Sequence, residues 1–317
     1  MKETILLITI SFLLISCKIY KTQKSESLSD IKIAYNVFED PETDNYEIYI
    51  MNPDGSDKKN ISNTEGVDWL YYAYGDKLYF VSDRDTTRRM YFLYEMDSDG
   101  NNIRKISDVR LQDSYLGTRK NGDEIIVLPK TNIDSVFLII NSNGEIVKSV
   151  YPDLPYIADP FFSPDGNQIV FRGGKIKSEL GPKYIDELYI MNVEGGIPKQ
   201  LTYYPANDTT AEWFAYRAGP PIWEPNRNII SFASKQNGNY SIFTIKPDGT
   251  ELTQVTPDST NEVYHSWSPG GEWIVFDGVP EENNYDILLM NFETKEIKRL
   301  TTDAKYEQGP VFVRQKQ

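Results

Sequence analysis

One short pattern occurs six times along the chain: a run of largely apolar residues, a polar residue, and a turn that in five copies ends in glycine. It reads Ile48-Tyr-Ile-Met-Asn-Pro-Asp-Gly55, Leu93-Tyr-Glu-Met-Asp-Ser-Asp-Gly100, Phe137-Leu-Ile-Ile-Asn-Ser-Asn-Gly144 and Leu188-Tyr-Ile-Met-Asn-Val-Glu-Gly195. It returns as Ile242-Phe-Thr-Ile-Lys-Pro-Asp-Gly249 and, without its glycine, as Ile287-Leu-Leu-Met-Asn-Phe-Glu-Thr294. The fourth positions are Met51, Met96, Ile140, Met191, Ile245 and Met290, at steps of 45, 44, 51, 54 and 45. A sustained period of this size marks a repeat architecture, and a unit of short strands points to propeller blades.

A second unit precedes the first in each later repeat. It is clearest in Asp159-Pro-Phe-Phe-Ser-Pro-Asp-Gly-Asn-Gln-Ile-Val-Phe171 and Tyr264-His-Ser-Trp-Ser-Pro-Gly-Gly-Glu-Trp-Ile-Val-Phe276, looser in residues 220–232, and degenerate in 68–80 and 115–127. Between two apolar runs, Pro pre-sets φ and Gly accepts positive φ, so these centres are tight turns. Each repeat is therefore four strands, a to d. Strand c is apolar at successive positions, as in Ile48, Tyr49, Ile50 and Met51. A sheet with one wet face would alternate, so both faces are expected to be covered by neighbouring blades. Gly309-Pro-Val-Phe-Val313 reads as a strand a with no strand b behind it, and Ile31-Lys-Ile-Ala-Tyr35 reads as the missing strand b. The expected fold is all-β: a six-bladed propeller over residues 31–317, closed by pairing of its terminal strands, which leaves no exposed edge between the ends.

These motifs resemble the TolB-type propeller repeats, a WD-like family of bacterial envelope and exported proteins, over about Ile31 to Val313. The resemblance implies the propeller and an envelope setting, and does not name an activity.

The first residues are a targeting segment. Lys2 precedes an apolar run from Ile5 to Ile15, too short to span a bilayer, for which about 20 residues are needed. It ends in Leu14-Ile15-Ser16-Cys17, which resembles the lipobox of bacterial lipoproteins. That resemblance implies a signal peptide over residues 1–16, cleavage before Cys17, and lipid attachment at Cys17. Residues 17–30 are then the lipidated cysteine and a polar tether. The expected place is the cell envelope, on the outer membrane, facing the periplasm or the surface. Cys17 is the sole cysteine, so no disulfide is available within the chain.

The formal charge of −14 argues against nucleic acid, whose phosphates need a basic face. His265 is the only histidine, which excludes a two-His metal site and a His-Glu-x-x-His helix. A serine triad would need His265 as its base, yet no Gly-x-Ser-x-Gly elbow occurs. Asp97-Ser-Asp-Gly-Asn-Asn102 begins like a calcium loop, but Ile106 stands where the bidentate Glu belongs. No metal, cofactor or catalytic residue is expected, and the chain reads as a non-enzyme.

Two departures from the repeat point to function. Ile245 to Trp267 spans 22 positions, whereas Met191 to Trp223 spans 32. That insertion carries Tyr203, Tyr204, Trp213, Phe214 and Tyr216. The b-to-c link from Phe171 to Leu188 takes 17 positions, against about ten or eleven in two other blades. Both links emerge on one face of adjacent blades, so they are expected to form a binding rim. Asp68, Asp159, Tyr264, His265 and Glu307 lie at or just before strand a, where a channel mouth is expected. The leading expectation is a lipid-anchored scaffold holding a protein partner of the envelope on its looped face. The alternative is a carbohydrate-binding or carbohydrate-cleaving propeller using the acidic mouth and rim aromatics, with a glycan as ligand. A third option is self-association.

Overall fold

The computed structural model describes residues 27–40, 42–131, 135–174, 186–203, 205, 215–236, 238–259, 261–281 and 284–316. These residues form six four-stranded antiparallel sheets, the blades of a propeller with strand a innermost. Blades 2 to 6 begin with strands a at Asp68–Tyr74, Gly117–Arg119, Tyr156–Phe162, Ile222–Trp223 and His265–Trp267. Blade 1 takes its strand a from the far end of the chain, Glu307–Arg314, and its strands b, c and d from Ile31–Asp40, Asn45–Met51 and Lys59–Asn60.

The closure expected from the chain ends is present. Ile31 lies opposite Arg314, Ile33 opposite Phe312, and Ala34 opposite Val311. Side chains reinforce the seam across blade boundaries. Asn36 accepts the N–H of Leu70 at 2.7 Å and donates to its carbonyl at 3.0 Å, binding blade 1 to blade 2. Asp277 of blade 6 accepts the N–H of Gly309 at 2.8 Å, binding blade 6 to blade 1. The chain end continues onto blade 2, where Lys316 Nζ meets Asp97 at 2.6 Å.

Each element of the repeat has a physical task. The turn glycine lets one blade press on the last strand of the blade before it. Gly55 has φ of +90°, and a Cβ there would lie 2.6 Å from the Leu300 carbonyl oxygen. Gly100 stands in the same relation to Ile61 of blade 1, at 2.7 Å. The hydroxyl that follows strand d accepts the first free N–H of strand c. Ser62, Thr202, Thr256 and Thr301 do this for Ile48, Leu188, Ile242 and Ile287 at 2.8–2.9 Å. That hydroxyl satisfies a buried donor that the short strands d leave unpaired.

Strands c are buried on both faces, as their composition requires: Ile48, Met51, Leu93, Met96, Ile139, Ile140, Leu188 and Met290 are all shielded from solvent. The interface of blades 4 and 5 is representative, with Val170, Leu188 and Ile190 packed against Trp223, Phe232 and Phe243. Each such side chain contributes about 1.5–3 kcal/mol on removal from water, so blade stacking is the main source of stability. The d-to-a and b-to-c links emerge on one face, the looped face. The a-to-b and c-to-d turns, and both ends of the described chain, lie on the other, the turn face.

Candidate functional site

On the looped face the innermost strands surround a cavity of about 470 Å3. Its polar wall is built where the two long insertions leave and rejoin the sheets. Arg172, near the end of strand b of blade 4, donates to the Asp159 carboxylate and reaches Asp186 Oδ2 at 3.4 Å. Asp186 immediately precedes strand c of the same blade, and Arg217 Nη1 approaches the same oxygen at 3.7 Å. The Ala218 N–H donates to the Asp186 carbonyl at 2.8 Å. The feet of both insertions are thus pinned together by one buried network.

Its electrostatics follow from burial. Asp159 and Asp186 are 3% and 6% exposed. Burial pushes the Asp186 carboxyl up, against the pull of Arg172 and Arg217. Burial also disfavours the Arg172 cation, but Asp159, Tyr156 and Asp186 more than offset this and hold it above the usual guanidinium range. Asp159 further accepts the Tyr115 N–H at 2.8 Å and the Ser114 hydroxyl at 3.1 Å, crossing to blade 3. On the same wall, the Tyr71 hydroxyl donates to Asp113. Asp113 and Asp159 are thus held as hydrogen-bond acceptors, and Asp186 is held by the two arginines.

Aromatic rings narrow the axis beneath this cavity. Tyr71 and Tyr115 stand 4.9 Å apart, and Tyr115 and Tyr264 5.8 Å apart. Trp69 meets Tyr264 edge-on at 6.5 Å. Blades 2, 3 and 6 therefore touch across the middle through these rings. A second cavity, of about 520 Å3, lies beyond them and opens on the turn face, and Tyr71 borders both.

The residues expected at the channel mouth separate into three groups. Asp159 and Tyr264 line the looped-face cavity. His265 borders the turn-face cavity instead. Asp68 and Glu307 line neither: Asp68 is fully buried and bound by Arg84, and Glu307 is 2% exposed at the start of the closing strand. Burial pushes the Glu307 carboxyl up to about 7. Among the rim residues, Tyr203 is 72% exposed, its hydroxyl donating to the Gln200 carbonyl at 3.3 Å. Tyr216 is partly buried with φ of +62°, and its N–H donates to the Lys235 carbonyl at 2.9 Å. Tyr204, Trp213 and Phe214 lie outside the described residues, as does most of the b-to-c insertion.

Sequence reading did not single out Arg172, Asp186 and Arg217 as a network. Their signal was position: each stands at the boundary of an insertion, a charged residue where the repeat breaks. It also passed over the partner of His265. The Ser231 hydroxyl lies 2.6 Å from His265 Nε2 and accepts the Trp267 indole N–H at 2.8 Å. Ser231 is fully buried and His265 3% exposed, and burial pushes the imidazole down to about 3. The pair is a neutral structural link between blades 5 and 6. With its oxygen already accepting from Trp267 and shielded from solvent, Ser231 is not placed to attack a substrate.

No family model matches the chain. A 142-residue stretch is 22% identical to Atu1656, an uncharacterized protein of Agrobacterium fabrum, and covers 45% of this chain and 42% of that protein. The chain thus spans less than half the length of that curated relative. Among solved structures, TolB from Acinetobacter baumannii matches with a TM-score of 0.70 at 17% identity, over 89% of this chain and 66% of its own. Hydrazine synthase from Kuenenia stuttgartiensis matches with a TM-score of 0.64 at 14% identity, over 90% of this chain and 47% of its own. At such identities the likeness concerns fold alone. The fold of this chain is that of a TolB-type six-bladed β-propeller.

Proposed function

We propose that the chain is a lipid-anchored binding module of the bacterial cell envelope that holds a protein partner on its looped face. Residues 1–16 serve as the signal peptide, Cys17 carries the lipid, and residues 17–30 tether the propeller. The observation that carries this reading is the buried network of Asp159, Arg172, Asp186 and Arg217. It fixes the feet of the two longest insertions on one face of adjacent blades, and long loops on a rigid scaffold are where partners bind. The tether's position agrees with it. Ile31 begins strand b on the turn face, so the tether joins the propeller on the face opposite the long loops.

Two measurements test this. Cys17→Ala should abolish incorporation of a labelled fatty acid and release the protein from the membrane fraction; retention of both would remove the anchor. The full-length protein should capture a discrete envelope protein, and replacing residues 206–214 by a Gly-Ser linker should reduce that capture at least tenfold. Undiminished capture would place the contact elsewhere. A carbohydrate reading is favoured by one observation, the Asp-, Arg- and Tyr-lined cavity behind the loops. A glycan array is its test, and glycan binding that survives loop replacement would favour it over the protein partner.

A further inference from the structure

The cavity on the turn face has no acidic side chain on its wall among the described residues, although the chain carries 47 acidic residues. Among the described residues, the single charged side chain on its wall is Arg314, the last residue of the closing strand. The Arg314 guanidinium is exposed and makes no ion pair or side-chain hydrogen bond among the described residues. His265, also on the wall, is held neutral by burial. The looped-face cavity, by contrast, presents Asp113, Asp159 and Asp186 together with Arg172 and Arg217.

Aromatic rings line much of the rest of the wall. Tyr72, Phe161, Trp223 and Trp267 come from strands a of blades 2, 4, 5 and 6. Trp223 is 3% exposed, and its indole N–H has no acceptor among the described residues. The physical reason is visible in the repeat. Trp267 donates to Ser231 of the preceding blade, whereas Val170 stands at the matching position before Trp223. At about 520 Å3 the cavity is within the range of small-molecule sites.

We propose that this cavity binds a small amphipathic carboxylate, with its apolar body among Tyr72, Phe161, Trp223 and Trp267 and its carboxylate on Arg314. A guanidinium pairs a carboxylate through two parallel hydrogen bonds, and the aromatic wall supplies apolar contact area. In a chain of net charge −14, an acid-free cavity with an unpaired arginine is where an organic anion would meet attraction. This site is independent of the envelope reading, because it lies on the face opposite the insertions.

The test is calorimetric titration of the full-length protein in zwitterionic nanodiscs with 4-phenylbutyrate and with its uncharged amide. The acid should bind at least tenfold more tightly than the amide. Arg314→Gln, at an exposed position that leaves the core intact, should bring the acid to the amide's affinity and leave the amide unchanged. Thr118→Glu, which places an acid on the same wall, should weaken the carboxylate more than the amide. Equal binding of the two probes, or binding of neither at millimolar concentration, would overturn the proposal. An acid preference that survives Arg314→Gln or Thr118→Glu would also do so.

Discussion

At the scale of single residues, buried polar groups decide more than their number suggests. Ser231 serves two neighbours at once, so Ser231→Ala leaves both the Trp267 N–H and His265 Nε2 without it. An unsatisfied buried partner costs about 1–3 kcal/mol, and denaturant unfolding should show a loss of that order. The two tryptophans give a sharper contrast. Trp267→Phe gives up a hydrogen bond, whereas Trp223→Phe removes a donor that has no acceptor among the described residues. Trp267→Phe should therefore be the more destabilising of the pair. A second expectation concerns pH. Burial pushes Asp277 up to about 7, against the backbone N–H groups of Tyr264, Gly309 and Val263 that lower it. Glu307 is pushed up to about 7 in the same way. An acid whose folded pKa is raised favours the fold below that pKa and loses that contribution as pH rises through it. Lowering the pH from 8 to 6 should thus add on the order of 1 kcal/mol from each. The neutral His265 opposes this once the pH falls below about 6.5, where the unfolded imidazole takes up a proton. The melting temperature should rise from pH 8 to about 6, and Asp277→Asn should flatten that rise. An unchanged slope in the variant would contradict the assignment.

At the scale of elements, the turn between strands c and d is the joint between blades. Gly55 and Gly100 combine positive φ with backbone contact to the preceding blade, while Gly195 has positive φ but open space around its Cβ position. Gly100→Ala should cost the strain of the left-handed region, of order 1–3 kcal/mol, plus a displacement of Ile61. Gly195→Ala should cost the strain alone. Denaturation midpoints of the two variants check this, and equal losses would mean that the close approach to Ile61 carries no weight. The sixth copy of the motif shows how the device is replaced: the glycine is absent, and Lys295 takes φ of +62° in its place.

At the scale of the whole molecule, the ring stands or falls on its seam. Strand a of blade 1 supplies Val311, Phe312 and Val313 to two core clusters and hydrogen-bonds Ile31 to Val37. Deleting residues 309–317 would expose strand b of blade 1 and remove the acceptor contact of Asp277 with Gly309. Such a truncation should lose its cooperative thermal transition, as followed by near-ultraviolet circular dichroism. A truncated chain that melts near the full-length temperature would show that the five remaining blades suffice.

The blade count, the strand order and the closure were legible in the amino-acid sequence because they rest on local causes. Turn chemistry, strand-length apolar runs and a period near 45 are written in neighbouring residues, and Ile31–Tyr35 and Gly309–Val313 announced each other by what each lacked. The repeat also located the two insertions. What the tertiary structure alone decided is which side chains meet across blades. Asp159, Asp68 and Glu307 look alike beside strand a, yet one lines a cavity, one is locked by Arg84, and one is buried at the seam. His265 adjoins Tyr264 in the chain but borders the opposite cavity, because successive strand residues advance along the channel past the ring constriction. Charge along the axis, with aspartates paired to Arg172 and Arg217 at one end and Arg314 without an acid at the other, depends on residues far apart in sequence converging in space, and no local pattern records that.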